Sequence, residues 1–104
     1  VPEDDEDLIL DRLVHEPGRL AIMTVLSSAE SADFVFLQRV TGLTKGNLSS
    51  HLTKLEAAGL VKIDKRFVAK KPNTNVALTA LGRKRIERHW DQLQRLRRRS
   101  TGEK

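Results

Sequence analysis

The sequence predicts a mostly helical α+β fold in which short helices enclose a thin aliphatic core and one small β-hairpin packs beside them. Three observations carry this expectation. Leu48, Leu52 and Leu55 recur at helical spacing within residues 41–61, a stretch punctuated by Gly42 and Gly59. Directly after Gly59 the apolar period becomes two: Val61 and Ile63 alternate with Lys62 and Asp64, and Val76 and Leu78 resume the alternation after the run KKPNTN. Last, Leu81, Ile86, Trp90, Leu93 and Leu96 form an apolar stripe along an otherwise cationic final stretch.

With 104 residues the chain is long enough for one domain, spanning 1–104, but not for a core plus a large enclosed pocket. A first helix is expected over 4–15, where Leu8, Ile9, Leu13 and Val14 give a short apolar stripe ahead of Pro17. It is too short to stand alone and must pack on something. A central unit, 17–79, follows. Pro17 opens a second helix that buries Leu20, Ala21, Met23 and Leu26, and the run SSAESAD supplies a loop. Asp33 caps a third helix with Phe34, Leu37 and Val40 at three-residue steps, Gly42 makes a tight turn, and Leu43 plugs the corner. Thr44 then caps the leucine-striped helix, and Gly59 stops it. The Pro72-Asn73 pair is the expected hairpin turn, between lysines. Thr79 caps a last helix over 80–99, and the tail 100–104 belongs to the apolar-free run RRRSTGEK, expected to fray into disorder. There is no internal repeat.

Lys and Arg number 19 against 14 Asp and Glu, a formal charge of +5, and the sequence pI is about 10.0. Because Glu3, Asp4, Asp5, Glu6, Asp7 and Asp11 crowd the start, the remainder is more basic still and favours a polyanionic partner. The absence of cysteine excludes disulfides, thiolate metal sites and cysteine nucleophiles. His15, His51 and His89 are too scattered in sequence for a metal cluster, so no metal and no cofactor is expected. No phosphate loop, paired carboxylates or nucleophile–histidine spacing supports an enzyme. No apolar run reaches the roughly 18 residues that cross a bilayer, so the expectation is a soluble cytoplasmic protein without a membrane partner.

The face of the leucine-striped helix opposite its apolar stripe carries Gly46, Ser50, Thr53 and Ala57, flanked by Asn47 and Lys54. Such a short, hydrogen-bonding surface can approach a groove closely. The run LTKGNLSSHLTKLEAAGLV resembles the recognition helix of winged helix-turn-helix transcription regulators of the MarR and ArsR type, with the pattern Leu-Ser-x-His-Leu followed by Gly-Leu-Val entering the wing. The run KKPNTNVALTALGRKRI is similar to the wing-to-last-helix segment of short, stand-alone members. Together the two runs span about half the chain, in the right order and spacing. The resemblance implies that 17–79 is a winged helix-turn-helix core between N- and C-terminal dimerisation helices, in a regulator that binds double-stranded DNA sequence-specifically as a homodimer. The lack of cysteine departs from the metal-sensing ArsR-like proteins. MarR-like proteins often take a small-molecule effector between dimer helices and DNA-binding lobe, but this shorter chain shows no recognisable pocket.

Candidate contacts follow from side-chain chemistry. Asn47, Ser49 and Ser50 can hydrogen-bond base edges and Lys54 can neutralise phosphate, while the free N–H groups of Lys45, Gly46 and Asn47 offer a phosphate site at the helix start. For His51, at the edge of the stripe, the resemblance implies a flank contact to the DNA backbone, and a half-buried packing histidine bonded to a carbonyl is the equal alternative. Lys65, Arg66, Lys70 and Lys71 surround the hairpin tip, where they can reach phosphate or simply protect an edge from aggregation. Leu8, Ile9, Leu13, Ile86, Trp90, Leu93 and Leu96 make apolar rows that one small core cannot cover, and so are the candidate dimer surface. Arg95, Arg97, Arg98 and Arg99 favour a helix C-terminus, with a second phosphate contact as the sharper reading. The main rival is a winged-helix module that binds another protein. An RNA partner is disfavoured because the chain has no Tyr and no aromatic stacking platform.

Overall fold

In the computed structural model, which describes residues 10–102, the elements run α1 (Pro17–Ser27), β1 (Ala32–Asp33), α2 (Phe34–Thr41), α3 (Lys45–Ala57), β2 (Val61–Val68), β3 (Lys71–Leu78) and α4 (Ala80–Ser100). The helices enclose the core, and a three-stranded antiparallel sheet of order β1-β3-β2 closes one side of it.

Most boundaries are set by local capping. Glu16 caps α1 by accepting from the backbone N–H groups of Gly18 and Arg19, with Pro17 at the first position where its missing N–H costs nothing. The side chains of Asp33, Thr44 and Thr79 cap α2, α3 and α4, accepting from the N–H groups of Phe36, Asn47 and Gly82. Gly42 ends α2 in the left-handed region at φ 73°. At the end of α3, Gly59 has φ 77°, the Leu60 N–H donates to the Leu55 carbonyl, and the Gly59 N–H donates to Glu56. That pair of bonds is a Schellman cap, and Leu55 and Leu60, both fully buried, make the apolar contact that accompanies it.

The leucine stripe is the centre of the core. Leu48, Leu52 and Leu55 meet Ile22, Met23 and Leu26 from α1, Leu37 from α2, Leu60, Val61 and Val76 from the sheet side and Ile86 from α4. Phe34 packs against this cluster, whereas Val40 is half exposed. Residues three apart drift by about 60° per step on a helix, so the two steps from Phe34 turn Val40 about 120° off that face. Leu81 is likewise exposed at the start of α4.

Three expectations about elements are corrected. Among residues 10–15 there is no helix, only a turn at 12–14 in which Asp11 accepts from the N–H groups of Leu13 and Val14; residues 4–9 lie outside the described residues. The hairpin turns at Ala69 and Lys70, with φ of 51° and 66°, and not at Pro72-Asn73, which lie in β3. A two-residue turn with both φ positive matches the twist of the flanking strands. Pro72 stands opposite Phe67, one pair away from the turn-closing Val68 and Lys71, so it occupies a non-hydrogen-bonded position where its missing N–H is tolerated. Finally, α4 runs one residue past the expected 80–99, through Ser100; Thr101 and Gly102 form the following turn, where a frayed tail was expected, and 103–104 are outside the described residues. Arginine is a good helix former and cations suit a helix C-terminus.

The segment ahead of α1 is fastened to α4. The Asp11 carboxylate accepts from Arg85 Nε at 2.6 Å, and His15 Nδ1 lies 3.1 Å from His89 Nε2. His15 and His89, distant in sequence, are thus neighbours, although no group of three metal-ligating residues forms among the described residues. Burial tends to raise the Asp11 carboxyl, but the Arg85 bond and two backbone N–H groups outweigh it and hold the pKa below the usual value. His89 is fully buried, and that burial, with the neighbouring His15, lowers its pKa against the opposing pull of Asp11.

The start of α4 is fixed by contact with the exit from α3. Thr79 donates its N–H to the Leu60 carbonyl at 3.0 Å and its hydroxyl to the Gly59 carbonyl at 2.6 Å. One turn on, a Cβ on Gly82 would lie 2.0 Å from the Leu60 oxygen. Gly82→Ala must therefore lever α4 off Leu60 and is expected to cost about 3 kcal/mol, the upper end for overpacking, read by urea denaturation. His89 gives a second expectation. Between its depressed pKa and the ordinary value of about 6.5 the unfolded chain binds one more proton than the folded chain, so stability falls as pH drops through that window. The thermal midpoint should decline from pH 7 to pH 5, and His89→Gln should flatten the decline; losses from Asp11 and Glu16, whose pKa values are also lowered, begin only in the carboxylate range.

Candidate nucleic-acid interface

Helix α3 presents three different margins once its leucines are buried. Gly46, Ser50 and Ala57 point directly away from the core, Thr53 points outward and toward the hairpin, and all are exposed. Lys45 and Ser49 lie on the margin facing the hairpin, and Asn47, His51 and Lys54 on the margin facing α1. The proposed base-edge and phosphate groups Asn47, Ser49, Ser50 and Lys54 are all exposed, but they do not share one face.

His51 is turned largely inward, which accords with the half-buried alternative. Its side chain is only 16% exposed, with Nε2 3.5 Å from the Glu16 carboxylate and Nδ1 3.2 Å from Arg19 Nη1. A guanidinium has no acceptor, so Nδ1 must accept from Arg19 and the ring proton sits on Nε2, facing Glu16. The partners are thus charged side chains, not the carbonyl of the packing alternative. Gly18 lies against this ring, since a Cβ there would come within 2.6 Å of Nε2. For Glu16, burial raises the carboxyl pKa, but the Arg19 and Gly18 N–H groups and His51 prevail and lower it. The cap of α1 therefore also pins the outer margin of α3.

On the other margin, α3 and the hairpin enclose a cleft of about 270 Å³. Lys45, Ser49 and Thr53 form one wall, and Lys65 from β2 with Thr74 from β3 the other. Leu52 and Ile63 make part of its lining. A second depression of about 270 Å³ shares Lys45 and Thr74 and reaches Pro72 and Asn73. Register explains which hairpin residues take part. Ile63 pairs with Val76, Lys65 with Thr74 and Phe67 with Pro72, so these three pairs share the face turned to α3. Arg66 and Lys71 point to the opposite face, Lys70 sits in the turn, and Arg66 is ion-paired with Asp64. The four tip cations are thus not equivalent: only Lys65 lines the cleft. Thr53 and Thr74 join the site without being singled out as contacts by sequence reasoning; the period-two pattern through Val76 and Leu78, extended backward, is the signal that locates Thr74.

The expected dimer surface is divided as well. Ile86 is fully buried in the chain's own core, and Leu13 is half-buried against it, so Ile86 is removed from that surface. His89 and Gln92, further along the same helix, are buried as well. Helix α4 has 21 residues, about 31 Å, and beyond Gln92 every residue to Ser100 except half-buried Leu93 is exposed. Trp90 is 36% and Leu96 42% exposed, and with Leu93 they make an apolar row on this projecting half. Leu8 and Ile9 lie outside the described residues. No helix among the described residues is long and apolar enough to cross a membrane.

Comparison with known proteins accords with this geometry. Residues 19–97 match the winged helix DNA-binding domain family. Over 65 residues the chain is 35% identical to an uncharacterised protein of Methanocaldococcus jannaschii, covering 62% of this chain and 71% of that one. A transcriptional regulator homologue from Pyrococcus horikoshii OT3 superposes with a TM-score of 0.80 at 35% identity, over 90% of this chain and 93% of the other. A MarR family transcriptional regulator from Silicibacter pomeroyi shares the fold at 22% identity, with a TM-score of 0.67 over 86% of this chain and 59% of its own. The chain belongs to the winged helix DNA-binding domain family, with α2, the Gly42 turn and α3 as its helix-turn-helix and the β2–β3 hairpin as its wing.

Proposed function

We propose that this protein is a sequence-specific regulator of transcription that binds double-stranded DNA as a homodimer. The observation that carries the reading is the cleft between α3 and the wing, where Lys45 and Lys65 stand on opposite walls beside a helix face of Gly46, Ser50 and Thr53. A sugar-phosphate strand lying in that cleft meets a cation from each wall, and the small outward face of α3 then lies against base edges in the major groove. Asn47 and Lys54, on the other margin, reach the groove from the α1 side.

The homodimer reading rests on the projecting half of α4. Trp90, Leu93 and Leu96 leave an apolar row that none of the described residues covers, and a second copy related by a two-fold axis covers both rows at once. Two α3 helices so related reach successive major grooves, giving an inverted-repeat site with half-site centres about 10 to 10.5 base pairs apart, or a multiple.

Selection of bound duplexes from a random pool, followed by titration across salt, tests the reading. Affinity should fall on the order of a thousandfold between about 50 and 200 mM salt if six or more phosphates are neutralised. Lys45→Ala and Lys65→Ala should each shrink the salt slope by about one unit and weaken selected and random duplexes alike. Asn47→Ala should instead relax base preference at one position per half-site. A pool that yields no common site, with binding indifferent to salt, would favour a protein partner. For assembly, Trp90→Ala combined with Leu93→Ala should sediment as a folded monomer with collapsed affinity. An unmodified protein that is monomeric at tens of micromolar and binds a single half-site at full strength contradicts the dimer.

A further inference from the structure

The wing ends in an apolar step that phosphate contact does not use. Phe67 is 75% exposed and Val68 53%, at the end of the hairpin and among Lys65, Arg66, Lys70 and Lys71. A large aromatic at the solvent end of a basic hairpin contributes nothing to the core, because the last pair packed on it, partly buried Ile63 and buried Val76, lies about 13 Å back along the strand. Along the face turned to α3 the pairs change character in order. Ile63–Val76 belongs to the core side, Lys65–Thr74 to the cleft, and Phe67–Pro72 forms the outermost pair.

That outermost pair is pre-shaped. Phe67 and Pro72 stand opposite one another in a non-hydrogen-bonded position, the closer of the two antiparallel pairings, so two apolar residues are neighbours on the same face of the hairpin end. The proline fixes its own backbone, and the two-residue turn at Ala69 and Lys70 holds the strands at short separation. Surrounding cations make the tip attractive to a polyanion and unattractive to an apolar protein groove. A narrow groove between two phosphate rows satisfies both features: it takes lysines along its edges and an apolar blade at its floor.

We propose that Phe67, backed by Pro72, is a minor-groove wedge that enters the DNA beside each recognition half-site and partly unstacks one base step. The proposal rests on the DNA-binding reading given above and adds a specificity device to it. Steps that unstack easily, pyrimidine–purine steps above all, would be favoured at a fixed distance from the half-site, although no side chain hydrogen-bonds to those bases. Lys65 and Lys71, on opposite faces of the hairpin, are placed to meet the two phosphate rows that flank the groove.

The test uses the full chain and a duplex recovered by the random-pool selection, with 2-aminopurine substituted in turn at each flanking position. Binding of the unmodified protein should raise the fluorescence at one flanking step. Phe67→Ala, at a position exposed enough to leave the fold intact by circular dichroism, should abolish the rise and weaken binding by about tenfold while leaving the salt slope unchanged. Phe67→Leu should retain part of the signal, since an apolar blade remains. Normal salt-dependent binding with no fluorescence change at any flanking position, or with a change that survives in Phe67→Ala, overturns the wedge and leaves the DNA-binding reading standing. Absence of duplex binding overturns both. In a parallel arm, vesicles of anionic phospholipid should show no Phe67-dependent binding. Loss of vesicle binding in Phe67→Ala with unchanged duplex binding would assign the tip to a membrane surface and overturn the wedge.

Discussion

Leu60 is the residue at which the separate parts of this fold become one object. Its N–H closes the last turn of α3, its side chain fills the core beside Leu55, and its carbonyl accepts from Thr79 where α4 begins. Gly82 allows the backbone of α4 to sit directly on that carbonyl. The recognition helix, the first wing strand and the last helix therefore share a single joint made largely of backbone. Backbone contacts leave little rotamer freedom, so the relative positions of α3 and the wing, and hence the width of the cleft, are held without long side chains.

The opposite margin of α3 is held by different means. There the Glu16 carboxylate caps α1 and faces His51, whose second nitrogen takes a hydrogen bond from Arg19. One side of the recognition helix is thus set by close packing at Leu60 and the other by a partly buried polar cluster. The second kind of contact depends on protonation and directed hydrogen bonds, the first hardly at all. Between the two, the outward face of α3 is left with small residues and no competing structural role.

The distribution of charge accords with this division. Asp64 pairs with Arg66 on the wing face turned away from α3, and Asp11 with Arg85 against α4. Lys45 and Lys65 instead line the cleft from opposite walls. A formal charge of +5 understates such a surface, because an anion responds to the local field and not to the total.

How much of this was legible in the sequence depended on the range of the interaction. Local rules marked Thr44, Asp33 and Thr79 as caps, Gly42 as a tight turn, Gly59 as a helix stop, and Leu48, Leu52 and Leu55 as the buried stripe, because each depends on residues within one or two turns. The change of period after Gly59 marked the hairpin for the same reason, and the two family-like runs pointed to the winged helix-turn-helix. Only the tertiary structure decided what depends on register or distant partners. The turn moved to Ala69 and Lys70 because strand pairing from Val61 to Leu78 fixes it, and that register in turn put Lys65, Phe67 and Pro72 on the face toward α3 and Arg66 and Lys71 on the other. Ile86 went into the core while Trp90 stayed half outside, a choice the stripe of α4 could not make until α1 and the N-terminal segment were packed against it. His51 acquired Glu16 and Arg19, and His89 acquired His15, by contacts between elements far apart in the chain. Sequence periodicity records which side of an element avoids water; it carries no information about which neighbour arrives there, and in this protein the neighbours shape the candidate site.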